Sequence, residues 1–150
     1  MTGVRHNARM QQRDFGTTGL RVSVLGLGAG QIGDARHSED LAGTLMNRAL
    51  DHGVTLVDTA RGYGLSEQRI GRHLSWRRND FILSSKGGYD AEGAQDWTPA
   101  AIRLGIEQAL TRLRVDWIDI FHLHSCPLDV LRQDELLGAL DDAVASLSLI

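Results

Sequence analysis

The segment VTLVDTARGYG, residues 54–64, decides how the chain is interpreted. Its apolar run ends at Asp58, and Tyr63 follows five residues later in a glycine-containing turn. A short apolar run bounded by polar residues and glycine is typical of a buried strand in a parallel sheet. The segment therefore predicts a strand that delivers an acid and a tyrosine to its carboxyl end.

Two further apolar runs end in the same way. FILSSK, residues 81–86, ends at Lys86, and WIDIFHLH, residues 117–124, ends at His124. Helical patterns separate the runs, so the strands are predicted to be parallel neighbours whose carboxyl ends meet at one rim. Enzymes of the βα-barrel class carry their chemistry at such a rim. We therefore expect Asp58, Tyr63, Lys86 and His124 to converge.

Four strand–helix pairs are predicted after a polar leader, residues 1–13, and a small hairpin that turns at Gly16–Gly19. The strands are expected at residues 22–27, 54–59, 81–85 and 117–123, and the helices are expected to begin at Ser38, Ser66, Thr98 and about Asp134. The first helix is predicted to bury Leu41, Leu45, Ala49 and Leu50, and the second Ile70 and Leu74. The third has the stripe Ile102, Ile106, Ala109, Leu110 and Leu113, and the fourth Leu136, Leu137, Leu140, Val144 and Leu147.

Strand alternation predicts which side chains share the inner face of this sheet. Ile82, Ser84 and Lys86 fall on one face of the third strand, and Ile118, Ile120, His122 and His124 on one face of the fourth. Val22 and Leu56 are further candidates for that face. His122 is expected one layer below the rim, as a buried structural histidine.

Composition excludes several classes of function. A net charge of −3 with scattered arginines argues against a nucleic-acid face, and no apolar run is long enough to span a membrane. The N-terminal residues contain no apolar stretch, which predicts no signal peptide. Cys126 is the only cysteine, so an internal disulfide is excluded and a cytoplasmic location is expected. Cys126 follows closely on His124 but is interpreted as a loop residue.

The segment GAGQIG, residues 28–33, permits a different fold. It matches the dinucleotide fingerprint, and Asp58 ends the next strand, as in a Rossmann domain. In that fold the helix begins within the glycines, whereas here the helical pattern starts only near Leu41. The Rossmann domain is therefore kept as a lesser alternative.

Several blocks resemble the aldo-keto reductases in sequence and spacing. They are FGTTGLRVSVLGLGAGQIG (15–33), ALDHGVTLVDTARGYGLSEQRIGRHL (49–74), FILSSKGG (81–88) and LTRLRVDWIDIFHLHS (110–125). The resemblance implies a (β/α)8 barrel that reduces aldehydes or ketones with a nicotinamide cofactor, NADPH or alternatively NADH. Residues 14–150 would be the N-terminal half of that barrel. The family's tetrad maps onto Asp58, Tyr63, Lys86 and His124, and cofactor contacts are expected at Gly28, Ala29, Gly30 and Asp58. No metal is implied.

The residue types suit this chemistry. Hydride addition to a carbonyl places negative charge on oxygen, which then needs a proton from a general acid. Tyrosine alone is a weak acid at neutral pH, and a neighbouring ammonium stabilises its phenolate. Lys86, the only lysine among 16 cationic residues, would do this while held by Asp58. His124 would orient the carbonyl oxygen of the small substrate.

A chain with four βα units leaves a sheet with two free edges. Such edges favour association, so we expect pairing with a second copy or with a complementary half-barrel. A non-catalytic half-barrel that serves binding or assembly is the main alternative function. Because a full barrel needs eight strands, weak cofactor binding and little or no reductase activity are expected from the 150 residues alone.

Overall fold

Short strands alternate with longer helices along the chain. The computed structural model describes residues 10–146. The strands are β1 (Gln12–Asp14), β2 (Arg21–Ser23), β3 (Gly26–Gly28), β4 (Leu56–Asp58), β5 (Ile82–Gly87) and β6 (Ile120–Leu123). The helices are α1 (Glu39–Asp51), α2 (Ser66–Leu74), α3 (Pro99–Leu113) and α4 (Asp134–Ala145), with short 3₁₀ segments at Gln31–Gly33, Ser75–Asp80 and Val130–Arg132.

The main sheet contains four parallel strands in the order β3-β4-β5-β6, and β1 and β2 form a separate antiparallel hairpin. The order follows the chain: α1, α2 and α3 each connect two neighbouring parallel strands, and α4 follows the last strand. Gly28 is in register with Asp58, and Asp58 with Ser84. The predicted hairpin and the four βα units are thus confirmed. A Rossmann domain is wrong for this chain, because its sheet reverses strand order and its helix begins within the glycines, whereas α1 begins at Glu39.

The hydrophobic core lies between the helices and one face of the sheet. Its members include Val57, Leu83, Met46, Ile70, Leu74, Ile102, Leu113, Ile118 and Leu136, each with no measurable exposure. Leu56, Ile82 and Ile120, which alternation places on the opposite face, are only half-buried. One face of the sheet is therefore packed, and the other is covered only in part. Within the described part of the chain, no helix is long and apolar enough to cross a membrane.

The N-terminal region differs from its prediction in two ways. The strand expected at residues 22–27 is divided into β2 and β3, because Ser23 turns aside to exchange hydrogen bonds with Thr55. Ser23 N donates to Thr55 Oγ1 at 2.9 Å, and Thr55 N donates to Ser23 Oγ at 2.8 Å. Residues 1–9 of the predicted leader lie outside the described residues, whereas Gln12 and Arg13 pair within the hairpin.

Side-chain caps were predicted at Ser38, Ser66 and Thr98, and two of these predictions are confirmed. Ser38 Oγ accepts from Leu41 N and Thr98 Oγ1 from Ala101 N, both at 3.2 Å. Ser66 was wrongly predicted as a cap. It is the first residue of α2, fully buried, and its hydroxyl bonds Ala29 O at 2.8 Å instead.

The buried face of α1 was predicted correctly at Leu50 but wrongly at Leu41 and Leu45. Ala42, Gly43, Met46 and Leu50 face the interior, while Leu41 and Leu45 are exposed. Gly43 is required at the α1–α2 contact, because a methyl group there would lie 2.7 Å from His73 Nδ1. Ile70 and Leu74 of α2 are fully buried, as predicted.

Two predicted faces near the C-terminal end need correction. Ile118 belongs to the packed core rather than to the open sheet face, because the chain bends at Asp119 before β6 begins. On α4, Leu136 is buried as predicted, but Leu137 and Val144 are exposed and Leu140 only half-buried. Leu147 lies outside the described residues.

Candidate functional site

An ion pair occupies the centre of the rim where β4 and β5 end. Lys86 Nζ donates to Asp58 Oδ2 at 2.6 Å and to Thr59 O at 2.8 Å. Ser84 Oγ donates to Asp58 Oδ1 at 2.8 Å, so both carboxylate oxygens are bonded. The lysine side chain is 17% exposed, and the pair is therefore shielded but reachable from the rim.

Tyr63 lies directly beside this ion pair. Lys86 Nζ is 4.8 Å from the centroid of the Tyr63 ring, within the range of a cation–π contact. The turn that carries Tyr63 is closed by Tyr63 N donating to Ala60 O at 3.1 Å and Ser66 N donating to Tyr63 O at 3.0 Å. The backbone on both sides of Tyr63 is thus fixed, and the ring is presented to the ammonium.

His124 completes the group from the end of β6. Its backbone N donates to Gly87 O at 2.9 Å, which extends the β5–β6 ladder to the rim. Its ring meets Tyr63 edge-on, with centroids 5.5 Å apart and an interplanar angle of 87°. Burial lowers the pKa of His124, and the charge of Lys86 lowers it further, partly offset by Asp58. The imidazole is therefore biased toward its neutral form.

The structure thus brings Asp58, Tyr63, Lys86 and His124 together at one rim. His122 differs from its prediction as a buried structural residue: it is in register with Lys86 but exposed. Burial raises the pKa of the Cys126 thiol, with a contribution from Asp129, which disfavours the thiolate that a nucleophile would need. Cys126 is therefore not prepared for catalysis.

The glycine segment expected to contact a cofactor lies beside Tyr63. A methyl group on Gly30 would lie 3.8 Å from the Tyr63 ring, and one on Gly28 would have no atom within 4 Å. Ala29 is fully buried, with its N bonded to Asp58 O at 2.7 Å and its carbonyl to Ser66. Open space is therefore found at Gly28, Gly30 borders the Tyr63 ring, and the backbone of Ala29 is already engaged.

Arg69, which was not predicted from the sequence, holds the loop after β3. This guanidinium is nearly buried and donates to the carbonyls of Ile32 at 2.5 Å, Asp34 at 2.9 Å and His37 at 2.6 Å. It also pairs with Glu39 at 2.8 Å. Together with the Ser66 hydroxyl, which donates to Ala29 O, this side chain fixes the loop that borders Tyr63 to α2. Its signal in the sequence is an arginine among the apolar positions of α2.

Tyr89 is a second site residue that the sequence analysis missed. It follows Lys86 by three residues, and its hydroxyl lies 2.9 Å from His124 Nδ1. The chain contains only two tyrosines, Tyr63 and Tyr89. The signal that could have drawn attention to Tyr89 was its place directly after the lysine-bearing strand.

Comparisons with known proteins match most of this chain. The model of the Aldo/keto reductase family matches residues 24–146. The L-galactose dehydrogenase of Arabidopsis thaliana is 34% identical over 132 residues, which cover 83% of this chain and 41% of that protein. The 6-dehydroglucose reductase of Novosphingobium aromaticivorans is 31% identical over 145 residues, covering 89% of this chain and 47% of that protein.

A solved structure shows the same arrangement of elements. The aldo-keto reductase AKR11C1 of Bacillus halodurans, in its holo form, superposes with a TM-score of 0.83 at 33% identity. The match covers 93% of this chain and 48% of that one. This chain thus spans less than half the length of these relatives.

Proposed function

Because the chain belongs to the aldo/keto reductase family, we propose that its rim reduces aldehydes or ketones to alcohols with a nicotinamide cofactor. Its four βα units are one half of the (β/α)8 barrel of that family. The observation that carries the proposal is the position of Lys86 Nζ, 2.6 Å from Asp58 Oδ2 and 4.8 Å from the Tyr63 ring centroid. An ammonium held by an acid beside a phenol is the arrangement that proton donation to a carbonyl needs.

Tyr63 is the proposed general acid. A bound nicotinamide cofactor supplies the hydride that adds to the carbonyl carbon. As negative charge develops on the carbonyl oxygen, Tyr63 gives up its phenolic proton, and Lys86 stabilises the phenolate that remains. Asp58 keeps the Lys86 ammonium charged and holds it in position. His124 donates a hydrogen bond that orients the carbonyl. In the oxidation direction Tyr63 accepts the proton instead.

The residues around Tyr63 suit the nicotinamide end of a cofactor. A methyl group added at Gly28 would point into open space. Gly30 has no side chain to cover the adjacent side of the Tyr63 ring. Gly28, Gly30 and Asp58 are therefore the residues proposed to contact the cofactor. NADPH is the proposed cofactor, with NADH as the alternative.

Tryptophan fluorescence gives a direct test of binding and turnover. Trp97 lies beside the site, with its ring centroid 5.8 Å from that of Tyr89. NADPH is expected to quench this fluorescence in the wild-type chain and less in Trp97→Phe. Turnover is measured with sugar aldehydes first, because two of the three similar proteins described above have the names of sugars in theirs. Absence of quenching and of turnover at every chain concentration, with NADPH and with NADH, would refute the proposal.

We further propose that the chain pairs with a second copy of itself. Among the described residues, β3 and β6 each have one unpaired edge. Edges of this kind invite pairing with another strand. In a two-fold dimer, β6 of each copy would meet β3 of the other, and eight parallel strands would surround one interior.

The outer flanks of the two terminal helices support this pairing. On α1, Leu41 and Leu45 are turned away from Gly43 and Asn47, which contact α2. On α4, a 100° step per residue places Leu137 and Val144 opposite Asp142, which faces Arg103 of α3. These four aliphatic side chains are between 39% and 52% exposed. A second copy would bury the α1 flank against the α4 flank twice.

A further inference from the structure

Tyr89 is placed to act on the ring of His124. The two rings lie 5.4 Å apart with an interplanar angle of 32°, and the Tyr89 hydroxyl lies 2.9 Å from His124 Nδ1. Trp97 supports Tyr89, with ring centroids 5.8 Å apart. No other hydrogen bond of the His124 ring is formed within residues 10–146. One nitrogen of the ring is therefore engaged by Tyr89, and Nε2 is left for another partner.

The backbone around Tyr89 makes this contact possible. Gly88 has a φ of +120°, a conformation that favours glycine, and it turns the chain directly before Tyr89. Gly62 leaves room for the hydroxyl, because a methyl group there would lie 2.9 Å from Tyr89 Oη and 3.8 Å from His124 Cε1. Two glycines thus allow the contact, and one of them directly precedes Tyr63.

The direction of the hydrogen bond determines what His124 can do. If the Tyr89 hydroxyl donates to Nδ1, the neutral ring carries its proton on Nε2 and can donate from there. If Nδ1–H donates to the Tyr89 oxygen, Nε2 has only a lone pair and cannot donate to a carbonyl. The unprotonated nitrogen of a neutral imidazole is more basic than the phenolic oxygen of tyrosine. The hydrogen bond is therefore expected to run from the Tyr89 hydroxyl to Nδ1.

The local charges favour the same arrangement. Burial and the charge of Lys86 lower the pKa of His124, so the ring stays neutral and Nδ1 can accept. Burial raises the pKa of Tyr89, as do Asp90 and Tyr63, so its hydroxyl keeps its proton. Both effects favour a protonated Tyr89 hydroxyl that donates to the neutral His124 ring at Nδ1.

We propose that Tyr89 is a positioning residue that holds His124 in its Nε2-protonated tautomer. The sequence segment GGYD therefore contributes to the site through His124, without contacting the reacting atoms. That the Nε2 proton is then given to a carbonyl oxygen rests on the proposed function. The tautomer itself does not depend on any activity.

Nitrogen NMR of the 150-residue chain tests the tautomer directly. The chain is labelled with ¹⁵N-histidine and measured above neutral pH, and the His124 signals are assigned by their loss in His124→Asn. They are expected to show a protonated Nε2 and an unprotonated, hydrogen-bonded Nδ1. Tyr89→Phe keeps the ring stacking and removes the hydroxyl. The Nδ1 signal should then move toward that of a free ring nitrogen or average between tautomers. Tyr63→Phe, the matched control, should leave the His124 signals in place.

A second variant avoids dependence on Tyr89→Phe alone. Gly62→Ala retains the hydroxyl but pushes it away, so it should change the His124 Nδ1 signal in the same direction. A protonated Nδ1 in the wild-type chain would overturn the proposal, as would Nδ1 signals unchanged by both substitutions. Where carbonyl turnover is measurable, Tyr89→Phe should lower kcat/KM about tenfold, the effect of one hydrogen bond, with cofactor affinity unchanged. If neither the wild-type chain nor any variant binds a nicotinamide cofactor or turns over a carbonyl, the proposed function fails while the NMR result still stands.

Discussion

Gly33 lies so close to Tyr63 that a methyl group at position 33 would overlap the Tyr63 carbonyl oxygen. The contact is reinforced by Leu65 N, which donates to Gly33 O at 2.9 Å. The third glycine of the GAGQIG segment therefore serves the packing of one βα loop against the next. The GAGQIG segment can therefore match the Rossmann fingerprint without binding a pyrophosphate, because its third glycine is needed for packing.

Gly33→Ala is expected to displace the Tyr63 turn and to lower the free energy of unfolding by about 1–3 kcal/mol, because the backbone must move to relieve the overlap. Urea unfolding measures the change. Gly28→Ala is the matched control for folding: its methyl group would meet no atom within 4 Å, so stability should be unchanged or slightly higher. Equal stability of the two variants would contradict the packing role of Gly33.

Tyr63→Phe should abolish carbonyl reduction in any assembly that turns over substrate, since the ring loses the only group proposed to give up a proton. Cofactor affinity should stay largely the same, because the substitution removes one oxygen and keeps the ring beside Gly30. Steady-state turnover of an aldehyde with NADPH and fluorescence titration of the cofactor measure the two quantities. Substantial remaining turnover would remove Tyr63 from the role of acid.

Lys86→Met should raise the pKa of His124. The lysine charge is one of the two causes that lower this pKa, and its removal also leaves the opposing charge of Asp58 unbalanced. The pKa is read from the pH titration of the His124 ring signals by NMR. The exposed ring of His52, which bonds Arg48 O in α1, supplies reference signals that the substitution should not displace. An unchanged or lower pKa of His124 would contradict the proposed electrostatic coupling.

Folding stability should depend on pH through His124 in a defined direction. Its pKa is lower in the folded chain than the ordinary value of 6.5, so the unfolded chain binds more protons as the pH falls below about 6.5. The stability contributed by the neutral ring is thus present above that pH and is lost as the pH falls toward the folded-state pKa. Urea unfolding at several pH values should show a shallower acid loss in His124→Asn than in the wild-type chain.

Sedimentation should detect a species of about twice the 16.5 kDa chain mass, in which the α1 and α4 flanks cover each other. Leu45→Glu should shift the chain toward monomer, raising the dissociation constant at least about tenfold, because a charge then replaces a buried aliphatic contact. Trp76→Gln is the control, since this 74% exposed side chain lies outside both flanks. A well-folded wild-type monomer at every concentration would rule out pairing with a second copy.

The position of the site could be predicted from the sequence because strand ends are local features. A polar residue that ends an apolar run is visible in a single sequence, and parallel strands bring such ends together. The buried face of α1 could not be predicted in the same way. Close helix contact selects Gly43 and Ala42 over Leu41 and Leu45, so two leucines of α1 are exposed while smaller residues are buried.

The partners of the site residues could not be predicted, because they depend on loop conformation. Tyr89 and His124 are 35 positions apart and meet only through the turn at Gly88. Asp119 resembles an ordinary strand residue in the sequence. In the fold it is buried, pairs with Arg78 at 2.6 Å and accepts from Leu83 N at 2.6 Å. The two members of such a charge pair are far apart in the sequence and meet only in the folded chain. Their pairing therefore cannot be predicted from their spacing in the sequence.

Lys86 gives the chain an unusual chemical property: its one side-chain amine is also the centre of the rim. An acyl donor selective for lysine side chains finds no other lysine in these 150 residues, and acylation of Lys86 would remove the charge that Asp58 holds. Lysine acylation and loss of this ion pair are therefore the same event. A ¹³C-methyl group introduced on that amine by reductive methylation, which retains the charge, would report on the rim without a competing side-chain signal.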